Sequence, residues 1–137
     1  FQVMKEGKFV EGGALNTFGE EYDFAGKEFK SEMNYSLIGT TMNYLVQNSI
    51  LEIPDYIKID VDGIEHLILE GGDKVLRNKK IKSLSVEINE NFEEQFKTTL
   101  LLMEKYEFKF LHKKRNDEFT KIKSGIFARS YNYIFIR

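Results

Sequence analysis

The sequence contains no cysteine and no tryptophan, and it has a single proline among 137 residues. Without cysteine there can be no disulfide framework, thiol nucleophile or cysteine-ligated metal, and this composition fits the reducing cytosol. No apolar stretch approaches the roughly 20 residues that a membrane-spanning helix requires, so no membrane span is expected. The first residues, FQVMKEGKF, also lack the apolar core of a signal peptide. We therefore expect a cytoplasmic protein.

The chain also lacks an excess of positive or negative charge. Its 20 lysine and arginine residues against 22 aspartate and glutamate residues give a formal net charge of −2. Such a balance provides no general attraction to polyanions, so nucleic acid is not an expected partner. The 42% hydrophobic content is enough for a buried core. We expect a single domain over residues 1–137, with an irregular β region over residues 1–39 and an α/β portion over residues 40–137.

Hydrophobic periodicity predicts the elements of the α/β portion. Alternation over residues 56–61 and 84–88 predicts two strands, each followed by a helical pattern. The first of these helices carries Gly71 and Gly72 on its apolar stripe, which predicts close packing together with a local break. Residues 108–112 and 131–136 predict a terminal hairpin. The expected fold class is α/β, with parallel strands and a C-terminal antiparallel hairpin.

The most informative segment is residues 57–72, IKIDVDGIEHLILEGG, where a strand leads into a turn that opens a helix. A period of two would place Asp60 and Asp62 on one face of the strand at its carboxyl end. Glu87 and Asn89 occupy the same end of the next strand. If the two strands are parallel neighbours, these residues share the crevice where open α/β sheets bind ligands. The sequence therefore predicts an acid-rich pocket.

Several roles are open to this pocket. It could take a proton from a hydroxyl substrate, hold a divalent cation, or bind an ammonium or ribose group. In a structural alternative, Lys58 pairs with Asp60 while Asp62 caps the following helix. His66, in the first turn of that helix, is expected at the surface because no second histidine stands at metal-ligand spacing. No metal ligands are assigned.

The run Asp60-Val61-Asp62-Gly63 also matches the D-x-D-G opening of haloacid dehalogenase-like phosphatases. Those enzymes use the first aspartate as nucleophile, the second as acid and base, and Mg²⁺ at the same site. They also need a serine or threonine at a strand end, where this chain has Glu87 and Asn89. A magnesium-dependent phosphatase is the alternative enzyme class.

Three segments resemble FkbM-type S-adenosylmethionine-dependent methyltransferases. The segment PDYIKIDVDGIEHLILEGG, followed by IKSLSVEIN, is similar to the family pattern K-I-D-V-[ED]-G-x-E and a later strand that ends in V-E. The preceding TTMNYL resembles the family's T-T-L-D-x-L. The resemblance covers the C-terminal portion of the family domain. The matching positions are Lys58, Ile59, Asp60, Val61, Asp62, Gly63, Glu65 and Glu87.

The resemblance implies a partial Rossmann-like methyltransferase sheet, with residues 56–61 as the fourth strand and residues 84–88 as the fifth. It implies S-adenosylmethionine as the methyl donor of the complete protein. A small-molecule or glycan acceptor is implied as well, with methyl transfer to a hydroxyl oxygen of a sugar or natural product. On this basis we assign Asp60, Asp62 and Glu87 to catalysis, with the base left open, and Glu65, Asn89 and His112 to substrate binding.

The glycine-rich cofactor loop of the family and its strand ending in Glu-Pro have no counterpart in this sequence. The pair Gly12-Gly13 lacks the surrounding strand-turn-helix pattern. We therefore interpret the chain, which begins at Phe1, as a portion of a methyltransferase that is inactive alone and does not bind S-adenosylmethionine tightly. A non-catalytic remnant that binds a partner is a further alternative.

The absent first strand would leave one edge of the strand over residues 56–61 unpaired. An unpaired strand edge is a template for association. We expect cover from residues 1–30 or from a second copy of the chain in a symmetric homodimer, and we favour the homodimer.

Overall fold

The computed structural model describes residues 1–8, 16–115 and 128–137, and these residues have a mixed α/β architecture. The pair Gly12-Gly13 lies outside them. The α/β expectation is confirmed. In chain order the elements are β1 (Gln2–Glu6), β2 (Thr17–Phe18), β3 (Met33–Leu37), α1 (Met42–Gln47), β4 (Tyr56–Ile59), α2 (Glu65–Glu70), α3 (Asp73–Leu76), β5 (Ser83–Asn89), α4 (Glu93–Lys105), β6 (Lys109–Lys114) and β7 (Ser130–Ile136).

The main sheet has the strand order β4-β5-β7-β6. Strands β4 and β5 are parallel, and Ile59 of β4 is opposite Val86 of β5. Strand β7 runs antiparallel to both β5 and β6, so the predicted terminal hairpin is present and its second arm lies beside β5. Asp60 and Glu87 are the residues that directly follow the paired Ile59 and Val86. Because the two strands are parallel, Asp60 and Glu87 lie at the same level of the sheet.

The hydrophobic core lies on one face of this sheet. Leu84, Val86 and Ile88 of β5 are completely buried there. They belong to one cluster with core residues of the helices, including Leu69, Leu76, Leu102 and Met103. Ser85 and Glu87 alternate with these apolar residues and therefore point to the opposite face, where they are half-buried.

The N-terminal region is more regular than the irregular β region that we expected. Strand β1 lies between β2 and β3 in an antiparallel sheet. A turn lies near Gly26, where the Asp23 side chain accepts hydrogen bonds from the backbone N–H groups of Ala25 and Lys27. Tyr22 and Glu28 are paired across this turn. The alternation was too short in the sequence to indicate these strand pairings.

The predicted helix after Gly63 is broken, as expected, at the two glycines. Helix α2 ends at Glu70, and α3 begins at Asp73. The close packing is also present, but it is made against the segment at the start of α1 and not against the sheet. A Cβ atom on Gly72 would overlap the methyl group of Met42, and one on Gly71 would lie 3.1 Å from Cγ2 of Thr41.

Strand β4 lies at the edge of the main sheet. Within the described residues it pairs only with β5, and Tyr56 at its start is 69% exposed. The N-terminal strands form a separate sheet, so they do not cover this edge by strand pairing in the part of the chain that the structure describes. The homodimer that we favour stays a prediction. Across the same residues, no helix combines the length and apolar character that a membrane crossing requires.

Candidate functional site

The turn after β4 determines where the two aspartates lie. Strand β4 ends at Ile59, and Asp62 (φ 61°) and Gly63 (φ 111°) adopt left-handed backbone conformations. A Cβ atom on Gly63 would lie 2.6 Å from the Cα atom of Phe24, so this position requires glycine for its conformation and for space. Asp60 directly follows the strand, whereas Asp62 lies in the turn. The expectation that both lie on one strand face is therefore wrong.

Glu65 holds this turn in place from the first residue of α2. Its Oε1 atom accepts the N–H of Val61 at 2.9 Å, and its Oε2 atom accepts the N–H of Gly63 at 3.1 Å. Gln95 donates a third hydrogen bond to Oε2 at 2.5 Å. Burial raises the pKa of Glu65, although the backbone hydrogen bonds oppose this effect. The side chain is 1% exposed, and its hydrogen bonds order the turn. The substrate contact that we assigned to Glu65 stays a prediction.

Asp60 and Glu87 form the carboxylate pair of the site. Burial, the negative charges of Asp60 and Glu65, and a hydrogen bond with Asp60 together raise the pKa of Glu87 to about 7. On its other side Asp60 pairs with Lys58, whose Nζ lies 2.7 Å from Oδ2. The hydrogen bond and the opposite charge of Asp60 raise the pKa of Lys58. A carboxyl group that titrates near neutral pH is suited to accept or donate a proton.

Asp62 contributes to this pair by charge and does not cap α2. Its negative charge is a further cause of the raised pKa of Glu87. The N-cap position of α2 is Ile64, and no side chain forms a cap hydrogen bond there. Asp62 therefore does not occupy the N-cap position of α2, whereas the Lys58–Asp60 pairing is present. The three predicted catalytic carboxylates are therefore close enough for the charges of Asp60 and Asp62 to raise the pKa of Glu87.

Asn89 connects three segments and has little surface for a substrate. Its Nδ2 atom donates to the carbonyl oxygen of Phe24 at 3.3 Å, and its Oδ1 atom accepts the N–H of Asn91 at 3.0 Å. Its backbone N–H donates to Oε1 of Gln95 at 2.9 Å. Because Asn89 is 3% exposed and both ends of its amide are bonded within the protein, it joins the N-terminal turn to the edge of the sheet. The substrate contact that we assigned to Asn89 stays a prediction.

His112 lies away from the carboxylate pair. It is exposed on β6 and pairs with Ile134 of β7, which in turn pairs with Ser85 of β5. Two strand spacings therefore separate His112 from β5, or roughly 10 Å. His112 is also level with Ser85, below the carboxyl edge of the sheet. The structure does not bring this residue to Asp60 and Glu87.

His66 is buried, so the expectation that it lies at the surface is wrong. It is 3% exposed, and its ring meets the ring of Phe92 edge to face at a centroid distance of 5.7 Å. Burial lowers the pKa of His66. The sequence signal that could have predicted this is the three-residue spacing between His66 and Leu69, which places both on the buried face of α2.

The described residues offer no cluster of three or more histidine, aspartate or glutamate side chains arranged to hold a metal ion. In particular, Asp60 is paired with Lys58 and Glu87, and Asp62 lies in the turn. The oxygen-ligand arrangement that a magnesium-dependent phosphatase would need at these two aspartates is therefore not formed by the part of the chain described.

A cavity that the sequence did not indicate lies between the N-terminal sheet and helices α1 and α2. Its volume is about 610 Å³. Ile64, Leu67 and Ile68, which belong to the apolar stripe of the predicted helix, line one wall. Phe18 and Met42 line other parts of it. The cavity is therefore largely apolar, in contrast to the carboxylate pair at the end of β5.

Comparison with protein families identifies a match over much of the α/β portion. The family model described as the methyltransferase FkbM domain matches residues 29–110, which is more than half of the chain. No curated protein and no solved structure matches the chain. The matched range includes β4, β5 and the carboxylate residues Asp60, Asp62 and Glu87. This chain belongs to the FkbM methyltransferase family.

Proposed function

We propose that this chain is the C-terminal portion of an S-adenosylmethionine-dependent methyltransferase that methylates a hydroxyl oxygen of a sugar or natural product. Membership of the FkbM methyltransferase family supports the reaction class. In this proposal the sheet is the second half of a Rossmann-like sheet, with β4 and β5 as the fourth and fifth strands. The observed order β4-β5-β7-β6 and the parallel β4–β5 pair support that placement.

The observation that carries the proposal is the pairing of Asp60 with Glu87 at the carboxyl edge of two parallel strands. A hydroxyl group is a poor nucleophile until its proton is removed. In our proposal the proton of the acceptor hydroxyl passes to this carboxylate pair, and the electron pair of the broken O–H bond stays on the acceptor oxygen. The pKa of Glu87, about 7, suits this exchange at neutral pH because both protonation states are then accessible.

S-adenosylmethionine would supply the methyl group when bound to the complete protein. The described residues of this chain do not fit a complete site for it. At the turn after β4, the backbone N–H groups of Val61 and Gly63 are already bonded to Glu65, so they are not available to a ligand carboxylate. No glycine-rich strand-to-helix turn is formed by the described residues. We therefore expect the chain alone to bind this cofactor weakly or not at all.

We further propose that residues 1–137 act as one domain and that the free edge of β4 pairs with a second copy. The hydrogen bond from Asn89 to Phe24 supports the first point, because it joins the N-terminal turn to β5. The exposed edge of β4 supports the second. Sedimentation at tens of micromolar tests the dimer. A monomeric chain with rapid amide exchange at Ile57 and Ile59 would contradict it.

The proposed function is tested by measuring methyl transfer by the protein that the whole reading frame encodes. Release of S-adenosylhomocysteine is measured with a panel of sugars and polyhydroxylated natural products. We expect Glu87→Gln to lower kcat by roughly 10²- to 10⁴-fold. Glu93→Gln is the matched control, since Glu93 is exposed and pairs with Lys97 on α4. Equal rates for Glu87→Gln and the unmodified protein would reject the role of the carboxylate pair.

The non-catalytic alternative is tested by the same assay. It is favoured by one observation, the incomplete cofactor site of this chain. Absence of S-adenosylhomocysteine release with every hydroxyl acceptor, together with absence of cofactor binding by the longest protein, would replace the proposed enzyme with a binding module.

A further inference from the structure

Asn132 is the direct neighbour of Glu87 in the main sheet. The strand register places Glu87 of β5 opposite Asn132 of β7. Opposed residues of antiparallel strands point to the same face, with Cβ atoms about 4.5–5.5 Å apart. On the far side of Asn132, strand β6 contributes Lys114 at the same level. A row of polar residues therefore crosses the sheet in the order Asp60, Glu87, Asn132 and Lys114.

The side chain of Asn132 has an unmet hydrogen-bonding requirement. Its Oδ1 atom is buried and accepts no hydrogen bond from the described residues. A buried polar atom without a partner destabilises the folded protein. Such atoms in folded proteins therefore call for an explanation, and one class of explanation is a catalytic role.

Glu87 can supply the missing donor in only one of its two protonation states. An ionised carboxylate is solely an acceptor, whereas a protonated carboxyl group carries one O–H donor. Two acceptor oxygens side by side do not attract each other. Once Glu87 takes up a proton, however, its O–H group and the Asn132 oxygen are complementary.

We propose that Asn132 is a positioning residue for Glu87, whose carboxyl O–H donates a hydrogen bond to Oδ1 of Asn132 when Glu87 is protonated. In the reaction of the proposed function, the O–H bond of the acceptor breaks, its proton bonds to a carboxylate oxygen of Glu87, and the new O–H group is held by Asn132. The use of this proton rests on the proposed function. The hydrogen bond itself can be measured without methyl transfer.

The charged groups around Glu87 and Asn132 affect the protonation of Glu87 or compete for its hydrogen bond. Asp60, Asp62 and Glu65 favour its protonated form through their negative charges, and Asp60, which is hydrogen-bonded to Glu87, competes with Asn132 for the carboxyl proton. Lys58 faces it from β4, and the charge of Glu87 adds to that of Asp60 in raising the pKa of Lys58. Lys114 faces Asn132 from β6 and is the competing donor for Oδ1. The test must therefore distinguish Glu87 from Lys114 as the donor to Oδ1, and Asn132 from Asp60 as the acceptor of the Glu87 proton.

The experiment is an NMR titration of the full 137-residue chain. The side-chain carboxyl carbon of Glu87 and the side-chain amide of Asn132 are followed against pH in the unmodified protein, so no substitution is needed for the first result. We expect the Asn132 amide resonances to shift with the same midpoint as the Glu87 carboxyl. Asn132 resonances that do not respond across the Glu87 titration would overturn the proposal.

Substitutions of Asn132 then test whether its side-chain oxygen raises the pKa of Glu87. Asn132→Ala removes the acceptor and should lower the Glu87 midpoint by about one pKa unit, a tenfold change in its acid dissociation constant. Asn132→Asp keeps an acceptor oxygen and adds a negative charge, so it should raise the midpoint. Asn34→Ala, on the exposed strand β3, is the matched control and should leave it unchanged.

Two outcomes would contradict this assignment. An unchanged Glu87 midpoint in Asn132→Ala would mean that the Asn132 oxygen does not stabilise the protonated carboxyl. An Asn132 titration in the lysine range that disappears in Lys114→Met would assign the donor to Lys114. Because neither readout depends on methyl transfer, a failure of the proposed enzyme activity leaves a positive NMR result in support of the Glu87–Asn132 pair.

Discussion

The side-chain amide of Gln95 donates a hydrogen bond to the carboxylate of Glu65 at 2.5 Å. This contact joins helix α4 to the turn after β4, because the same carboxylate accepts the backbone N–H groups of Val61 and Gly63. The turn that places Asp60 beside Glu87 is thus fixed from the interior of the protein. The matching glutamate of the family pattern has a structural task in this chain.

Replacement of Glu65 by glutamine tests this role. In Glu65→Gln one acceptor oxygen becomes an NH₂ group, which only donates hydrogen bonds. The single remaining oxygen cannot accept all the hydrogen bonds that the turn and Gln95 donate to Glu65. We expect a loss of about 1–3 kcal/mol in the free energy of unfolding, measured by urea denaturation. Amide exchange at Val61 and Gly63 should accelerate. Glu70→Gln, at the exposed end of the same helix, is the control and should change neither property.

Gly63 should tolerate no side chain. Gly63→Ala introduces a Cβ atom 2.6 Å from the Cα atom of Phe24 at a φ of 111°, so both backbone strain and overlap with main-chain atoms oppose it. We expect a loss of about 2 kcal/mol or more in unfolding free energy. Gly7→Ala is the matched control, since its Cβ would meet Phe29 at an ordinary 3.6 Å. Equal melting temperatures for the two variants would show that the turn can relax.

The periodic segments of this fold could be predicted from the sequence. Alternation of apolar residues identified all of β4, although the prediction ran past its end at Ile59, and identified β5 except for its first and last residues. Paired glycines indicated the break between α2 and α3. The proximity of Asp60 and Glu87 could be predicted because two neighbouring parallel strands end at the same edge of the sheet. Each of these predictions depends on local periodicity together with one general rule of sheet topology.

The errors concern residues whose environment is made by distant parts of the chain. His66 was expected at the surface, but Phe92, 26 positions later, packs against its ring. The hydrogen bond from Asn89 to Phe24 and the hydrogen bond from Gln95 to Glu65 could not be inferred from the sequence. The left-handed conformation of Asp62 could not be inferred from strand alternation either. Such partners become apparent only when the tertiary contacts are known.

Glu90 forms a second charged centre, whose stability contribution should depend on pH. Burial alone would raise the pKa of Glu90, but hydrogen bonds from Lys113, Tyr133 and Arg129 outweigh it and hold the pKa at about 2. Tyr133 Oη lies 2.5 Å from Oε1, and Arg129 Nη2 lies 2.9 Å from Oε2. The side chain is 9% exposed, so these bonds are only partly screened by water.

Because the folded-state pKa of Glu90 is below its ordinary value of 4.5, its contribution to stability is present above pH 4.5 and is lost as the pH falls towards 2. We expect Glu90→Gln to lower the free energy of unfolding by about 2 kcal/mol at neutral pH. The difference from the unmodified chain should shrink in denaturation experiments at pH 3. A difference that is independent of pH would show that the ionised carboxylate is not the stabilising form.

Cofactor binding by the isolated chain should be weak or absent. The N–H groups of Val61 and Gly63 are occupied by Glu65, so they are not available to a ligand carboxylate. Calorimetric titration of the 137-residue chain with S-adenosylmethionine should therefore give no saturable heat in the micromolar range. Saturable micromolar binding would require a cofactor site that the described residues do not indicate.

The most direct test of the central claim is the titration of the Glu87 carboxyl carbon in the unmodified chain and in Asp60→Asn. Our account predicts a midpoint near 7 in the unmodified chain, because burial and the charge of Asp60 both disfavour ionisation of Glu87. Removal of the Asp60 charge should lower that midpoint by about one unit. A midpoint near the ordinary glutamate value of 4.5 in both proteins would contradict the assignment of this pair as the proton-accepting centre.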